Sequence, residues 1–460
     1  MNGLNNPGVV STPVVGLSPE QVRTVPMPHY CKDVWEFLHS AEEYSDGINM
    51  TRLVTTFRGK FDRRAWNRSL ERLMQRHPVL AARVTATSEG LEFVVNSQRR
   101  PQLRIVDISA CSNEDLAMTL RTLVTALVWE SFDAQEGRLF RTFAISVSDS
   151  ECVLGVVAHH FIADGWSMEI IGRELLITYA AEISGRRLPL PERYVEYLDH
   201  IQWMARWLQG PEAQSQAAYW AQQLADPPDV RLPTLDNVDL DALAQWAYEK
   251  LTLEPALVRA VCAYAGKIQT TPFVTILTAF IAALSAIVQS SDIVVMIVAE
   301  QRSNPRLRYT VGYLVNLLPL RVAVKSDESF HGLATKVGRA YSSACSNQLH
   351  PYLLDEWRRN TFPSVRFRRL APMECERASG SAGFSPFELP ERPERDSARR
   401  SGAGYWLDIE HRGHSMCCRA GYLPTLYTQK TAARLVRIFR AAVEMAAEVP
   451  DSPVSALKFE

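Results

Sequence analysis

VAHHFIADGWSM, residues 157–168, is the stretch on which the fold reading turns. Upstream, ECVLGVVAH (151–159) is an apolar, β-branched run of strand type; downstream, WSMEIIGRELLITYAAEIS (166–184) has helical spacing. His159 and His160 therefore stand at a strand end, and Asp164 and Gly165 lie in the turn that opens a helix. Such turns collect polar groups where a ligand can reach them.

Residue chemistry alone leaves several uses for these groups. Imidazole and carboxylate suit a metal, but adjacent residues at a strand end point to opposite faces, so His159 and His160 do not reach one ion. A serine hydrolase lacks support, because the chain has no GxSxG elbow. His411 and His414 in HRGHSMCC read as surface histidines. In an acid–base reading, one histidine faces substrate with an ordinary pKa near 6.5, and the other points into the lobe. Asp164 then either orients the imidazole or holds the turn through an arginine; spacing leaves both open.

Before the motif, RLVTTFRG (52–59) reads as a strand and FDRRAWNRSLERLMQRHPVL (61–80) as a helix capped by Asp62 and stopped before Pro78. LEFVVN (91–96), LRIVDI (103–108) and LFRTFAIS (139–146) are strand-like, and SNEDLAMTLRTLVTALVWESF (112–132) is helical. The order helix, strand, strand, helix, strand, strand, helix describes an α/β lobe with a mostly antiparallel or mixed sheet. Gly185 stops the motif helix, and GRRLPLPER (185–193) reads as a linker, which divides the chain into lobes at 1–190 and 191–460. In the second, helices are expected at 193–208, 213–224, 256–267, 272–288, 330–348 and 425–449. Strands are expected at 292–300, 314–324 and 405–412. The Gly-, Ser-, Pro- and charge-rich stretch at 375–404 predicts a mobile loop.

At 460 residues with 47% apolar side chains, the chain has material for two sizeable cores. Its 50 basic and 51 acidic side chains give a net charge of -1, which provides no field for nucleic acid or an anionic membrane. The eight cysteines lack CxxC spacing and suit free thiols in a reducing cytoplasm. No secretory signal is evident at the N-terminus. PFVTILTAFIAALSAIV (272–288) compares with a membrane span, a surface anchor and a buried helix. Its length, its hydroxyl residues and the lack of a second such segment favour the buried helix.

AHHFIADGWS matches in full the HHxxxDGWS signature of the condensation domains of nonribosomal peptide synthetases, which the chain resembles. These domains belong to the chloramphenicol-acetyltransferase-like superfamily. QRHPVLAARV (75–84) is similar to their RHxxLR segment, with Ala82 and Arg83 shifting its end; YLDHIQW (197–203) and AAYWAQQL (217–224) are similar to the segments that follow. AEQRSNPRLRYTVGYLVNLLPLR (299–321) resembles GxxxxR followed by (I/V)GxFVNxLPLR, and QLHPYLLDEW (348–357) a degraded HQxxPFExLV.

The resemblance implies an α/β fold of two acetyltransferase-like lobes, a V-shaped pseudo-dimer with a tunnel at the junction. It implies an acyltransferase that moves an acyl chain from a carrier-protein phosphopantetheine thioester to an amine or alcohol, small or carrier-bound, to give an amide or ester. The pantetheine arm comes with the carrier; no cofactor or metal is expected on this chain. Position by position, His160 is the catalytic histidine and His159 its structural neighbour, with Asp164 expected to pair with Arg302. Gly165 lets backbone approach the thioester. Trp166 packs, Ser167 either caps the helix or touches substrate, and Asn316 lies near the channel.

The opening motif SxAQxRLW is reduced to LSPEQVRTVPM (17–27), which alters the expected outer tunnel wall. The DFGWG of plant-type relatives is absent, and heterocyclising and epimerising branches match less well. A chain with no adenylation or carrier segment resembles the free-standing enzymes that act in trans, including in hybrid polyketide pathways and chain release. A CoA-dependent acyltransferase and a non-catalytic carrier-recruiting module are the alternatives.

Overall fold

The computed structural model describes residues 22–28, 31, 50–88, 90–96, 99–133, 139–185, 190–192, 195–233, 246–349, 363–370, 383–387, 404–412 and 414–457. In chain order these form β1 (Val22–Pro26), β2 (Met50–Arg58), α1 (Arg63–Arg76), β3 (Ala82–Thr87), β4 (Gly90–Asn96), β5 (Leu103–Asp107) and α2 (Asn113–Trp129). There follow β6 (Phe140–Ser148), β7 (Glu151–His159), α3 (Gly165–Ser184), α4 (Tyr197–Trp207), α5 (Pro211–Gln223), β8 (Ala247–Leu253), α6 (Pro255–Lys267) and α7 (Pro272–Val288). The remainder is β9 (Asp292–Glu300), β10 (Val315–Ala323), α8 (Phe330–Ser346), β11 (Ser364–Leu370), β12 (Phe384–Pro386), β13 (Tyr405–Arg412), β14 (Ser415–Tyr422) and α9 (Gln429–Glu448).

Packing divides the described residues into two compact units. The first holds those up to Arg206, Arg302–Leu314 and those between 373 and 393; the second holds the rest. The motif unit thus runs past residue 190 to Arg206 and takes in two segments from later in the chain.

The main sheet of the first unit has the order β12-β2-β7-β6-β5, and β1-β4-β3 form a smaller one. It is mixed, as expected: β5 runs parallel to β6, and the other pairs are antiparallel. Alternation along β7 points Val153 and Val157 to the face shared with Met50, Val54 and the α2 residues Val124 and Val128. At the start of α1, Asp62 Oδ1 accepts the amides of Arg64 and Ala65 at 2.8 and 2.9 Å. Its apolar stripe, Trp66, Leu70, Leu73 and Met74, is buried, and Trp66 packs edge-on against Tyr179 of α3. A buried polar cluster joins the same two helices, for Arg76 and His77 both reach Glu174, the histidine at 2.8 Å. Gly185 ends α3 with a left-handed φ of 66°.

The stretch expected to be a mobile loop contains β12. Its three residues pair antiparallel with β2, Phe384 opposite Phe57, and Thr55 Oγ1 donates to the Ser385 carbonyl at 2.8 Å. This corrects the expectation at 384–386. An edge position tolerates Pro386, which has no N–H to donate. Residues 375–382 and 388–403 lie outside the described residues, as does most of QLHPYLLDEW.

The second unit is built on a mixed sheet of order β10-β9-β11-β13-β14-β8. Helix α7 is the centre of its core, with Ile276 through Leu284 essentially inaccessible and Phe280 against Phe439 of α9. The apolar run at 272–288 is thus a buried helix. Among the described residues no single helix is long and apolar enough to cross a membrane; only α6 and α7, bent by 104°, pass together on length and composition.

Candidate active site

Strand β7 delivers the two histidines to different surroundings. His159, its last residue, pairs with Met50 and is buried. Its Nδ1 accepts the Phe161 amide at 3.1 Å, and its ring lies 4.1 Å from that of Phe161 and 6.0 Å from that of Phe132. Since Nδ1 accepts, the ring proton sits on Nε2. Burial, reinforced by neighbouring His160, pushes its pKa down to about 3. His159 is a neutral structural residue at neutral pH.

One residue on, the chain leaves the strand, and the buried side chains of Phe161, Ile162 and Ala163 anchor the turn. His160 stays half-buried. Its Nδ1 lies 3.1 Å from the Ala163 carbonyl, which can only accept, so Nδ1 carries the proton and Nε2 presents a lone pair. Tyr313 packs edge-on against this ring at 5.8 Å.

Asp164 is the N-cap of α3, and both its oxygens are occupied. Oδ1 accepts from the Ser167 amide and hydroxyl, each at 2.8 Å; Oδ2 accepts from Arg302 Nη1 at 2.7 Å and the Leu314 amide at 3.0 Å. Burial alone would raise its pKa. The Arg302 charge and hydrogen bond, with the amides of Ser167 and Leu314, outweigh that and hold the carboxyl below its ordinary value. Arg302 Nη2 also donates to Ser167 Oγ and to the Thr310 carbonyl, both at 3.0 Å. Asp164 therefore holds the turn through an arginine and does not orient His160.

Ser167 joins this network. It is fully buried, takes the Gly312 amide at 3.1 Å and lies 2.8 Å from the Gly312 carbonyl. Asp164, not Ser167, is the cap, and the Ser167 hydroxyl is committed to this buried network. Gly312 is required where it stands, because a Cβ there would meet the Tyr197 ring at 2.2 Å.

A family model described as "Condensation domain" matches residues 24–367. The chain belongs to the condensation-domain family. It is 28% identical over 330 residues to malpinin synthetase of Mortierella alpina, covering 71% of this chain and 4% of that one. Cyclosporin synthetase simA of Tolypocladium inflatum is 27% identical over 401 residues, 85% of this chain and 2% of that protein. The chain thus spans less than a tenth of the length of these relatives. Among solved structures, the condensation domain of the Monacolin K polyketide synthase MokA superposes with a TM-score of 0.75 at 16% identity, over 94% of this chain and 99% of that one. The acetyltransferase-like α/β fold is thereby established.

Around the motif of this condensation domain, Gly165 and Trp166 are exposed. A Cβ on Gly165 would meet nothing within 4 Å, so open space borders the backbone at the start of α3. Trp166 is 37% exposed and donates its Nε1–H to the Arg308 carbonyl at 3.1 Å. Asn316 belongs to the second unit, where Nδ2 donates to the Gln348 carbonyl at 2.5 Å and Oδ1 accepts the Leu317 amide at 2.9 Å. It fixes backbone in that unit. Residue-by-residue reading missed Tyr313 as the packing partner of His160, and Thr310, Gly312 and Leu314 as backbone partners of the network. The VGYLVN motif marked their segment, but only as a stretch of sequence. No group of three or more metal-ligating side chains occurs among the described residues.

Proposed function

We propose that this condensation domain transfers an acyl chain from a carrier-protein phosphopantetheine thioester to an amine or alcohol, in natural-product assembly. The observation that carries the reading is the His160 ring. Its Nδ1 proton is directed to the Ala163 carbonyl, which makes Nε2 the basic nitrogen of the ring, and the neighbouring acid is committed elsewhere.

In the reaction, His160 Nε2 takes the proton of the attacking amine or hydroxyl as the new C–N or C–O bond forms on the thioester carbon. The helix-start N–H of Gly165 faces the developing oxyanion. Collapse of the tetrahedral intermediate breaks the C–S bond, and the proton on Nε2 passes to the departing pantetheine sulfur. General-base catalysis of this kind contributes about 100- to 10,000-fold, and holding both reactants in place contributes more. The free cysteines suit a cytoplasmic setting for such chemistry.

The test is a mass-spectrometric assay with an acyl carrier supplied as a separate protein, an acyl-CoA and a panel of amines and alcohols. Product from the acyl carrier that falls by about two orders of magnitude or more in His160→Ala supports the reading, and also action in trans. Equal use of acyl-CoA without any carrier points to a soluble-donor acyltransferase. Carrier binding without product points to a recruiting module.

A further inference from the structure

The outer face of α9 carries Lys430, Arg434, Arg437, Ala441, Glu444 and Glu448 at alternating steps of four and three residues, so they run along one line of the helix. On its other side Leu435, Phe439, Ala442 and Ala446 are buried in the core of the second unit. Charge is sorted along the outer line: basic in the first half, acidic in the second, with Ala441 between. Lys430, Arg434, Arg437 and Glu448 are exposed and have no ion-pair partner among the described residues. Glu444 is part-exposed and holds Arg440 at 2.8 Å, and exposed Asp451 extends the acidic end just beyond the helix.

The neighbouring elements do not answer these charges. Helices α6, α7 and α8 and strand β14, all packed on α9, contain no acidic residue. Glu249 of β8 is taken by Gln429 at 3.0 Å, and Glu254, the cap of α6, by Arg440 at 3.2 Å. Nor does the order serve the helix itself. Cations near its N-terminus and carboxylates near its C-terminus oppose the macrodipole, and Lys430/Arg434, Arg434/Arg437 and Glu444/Glu448 are like-charged neighbours one turn apart. The complement of this face is a surface with the reverse order of charge.

We propose that the surface is the same face of a second copy of this chain, the two α9 helices lying antiparallel and crossing at Ala441. A two-fold axis sets a patch against itself, so that when one residue of the first copy meets another in the second, the reciprocal contact forms too. Arg434 and Glu448 each lie seven residues from Ala441, about 10.5 Å along the helix. Arg434 of each copy therefore comes opposite Glu448 of the other. Arg437 and Glu444, four and three residues from Ala441, meet in the same way. The small Ala441 side chains let the helices approach at the crossing. A parallel pairing would instead set arginine on arginine. One helix pair makes a small interface held largely by exposed charges, so association falls in the micromolar range and weakens with salt.

Sedimentation velocity across a micromolar concentration series tests the interface. In low salt the wild-type chain should move from the mass of one copy towards that of two, and about 0.5 M salt should reverse this. Arg434→Glu/Arg437→Glu should stay monomeric with an unchanged or raised melting temperature, because its charges now follow the macrodipole; that separates lost association from lost folding. Glu444→Arg/Glu448→Arg should also stay monomeric alone. Mixing the two variants should give a one-to-one heterodimer, and reversing all four charges in one chain should restore the wild-type dimer. A wild type that is monomeric throughout the series overturns the proposal. So does a dimer that survives either reversal, or a mixture of the two variants that does not associate.

Discussion

Breaking the Asp164–Arg302 pair provides a quantitative test of how the motif is held. Both side chains are buried, at 2.7 Å, and each has further partners inside the same network. Asp164→Ala strands the Arg302 cation among carbonyls and leaves the Ser167 and Leu314 amides without their acceptor. Removal of one partner of such a pair costs roughly 3–5 kcal/mol. Arg302→Ala should cost less, because the carboxylate keeps two amides and a hydroxyl and can also take up a proton. In the double variant no charge is stranded, so its cost should fall short of the sum of the singles by about 1–3 kcal/mol. At about 2–4 °C per kcal/mol for a unit of this size, Asp164→Ala should lower the melting temperature by about 10 °C. The depressed Asp164 pKa makes the pair's contribution complete at neutral pH; it is lost only as pH falls through that lowered value. Urea denaturation of wild type, both singles and the double at neutral pH closes the cycle. Additive costs, or a single variant within about 0.5 kcal/mol of wild type, would refute the stranded-charge argument.

Three further outcomes are expected. His160→Ala should keep its melting temperature, lose turnover, and lose more with alcohol acceptors than with amines, since an alcohol depends more on a base; equal losses in steady-state kinetics would contradict a general-base role. His159 has a folded pKa of about 3 against 6.5 in the unfolded chain, so the unfolded state binds its proton first as the solution is acidified. Its contribution is whole above pH 6.5 and is about 2 kcal/mol smaller at pH 5; denaturation of His159→Asn, which keeps an acceptor for Phe161, should show a flatter pH profile, and an unchanged slope counts against the assignment. Gly312→Ala, driven into Tyr197, should lose roughly 1–3 kcal/mol, whereas Gly165→Ala, in open space, should keep its stability and show a lower kcat/KM; a destabilised Gly165→Ala would contradict the open space found there.

Local pattern was enough to locate much of this molecule. The 3.6-residue stripe of Trp66, Leu70, Leu73 and Met74 and the Asp62 cap define α1 without reference to anything distant. The alternation in β2, β6 and β7 and the apolar length of α7 did the same for those elements. Strands β1, β3, β8, β11, β12 and β14 were not legible. Their side chains are short, polar or mixed, and some pair with strands far along the chain, as with β12 on β2 and β14 on β8.

The site divides in the same way. A strand end followed by a helix cap separates His159 from His160 from sequence alone, because successive residues of a strand face opposite sides. The expectation that Asp164 pairs with Arg302 came from resemblance of motifs, not from spacing. Tertiary structure decided what that pairing consists of. It brings residues about 140 positions apart into one buried network, in which Arg302, Thr310, Gly312 and Leu314 supply the partners that a buried carboxylate and hydroxyl require. It also fixed Ser167 inside that network and placed Tyr313 against the His160 ring. Sequence determines which groups can ionise, donate or cap; whether a group is buried, and by what, depends on contacts that no local spacing encodes.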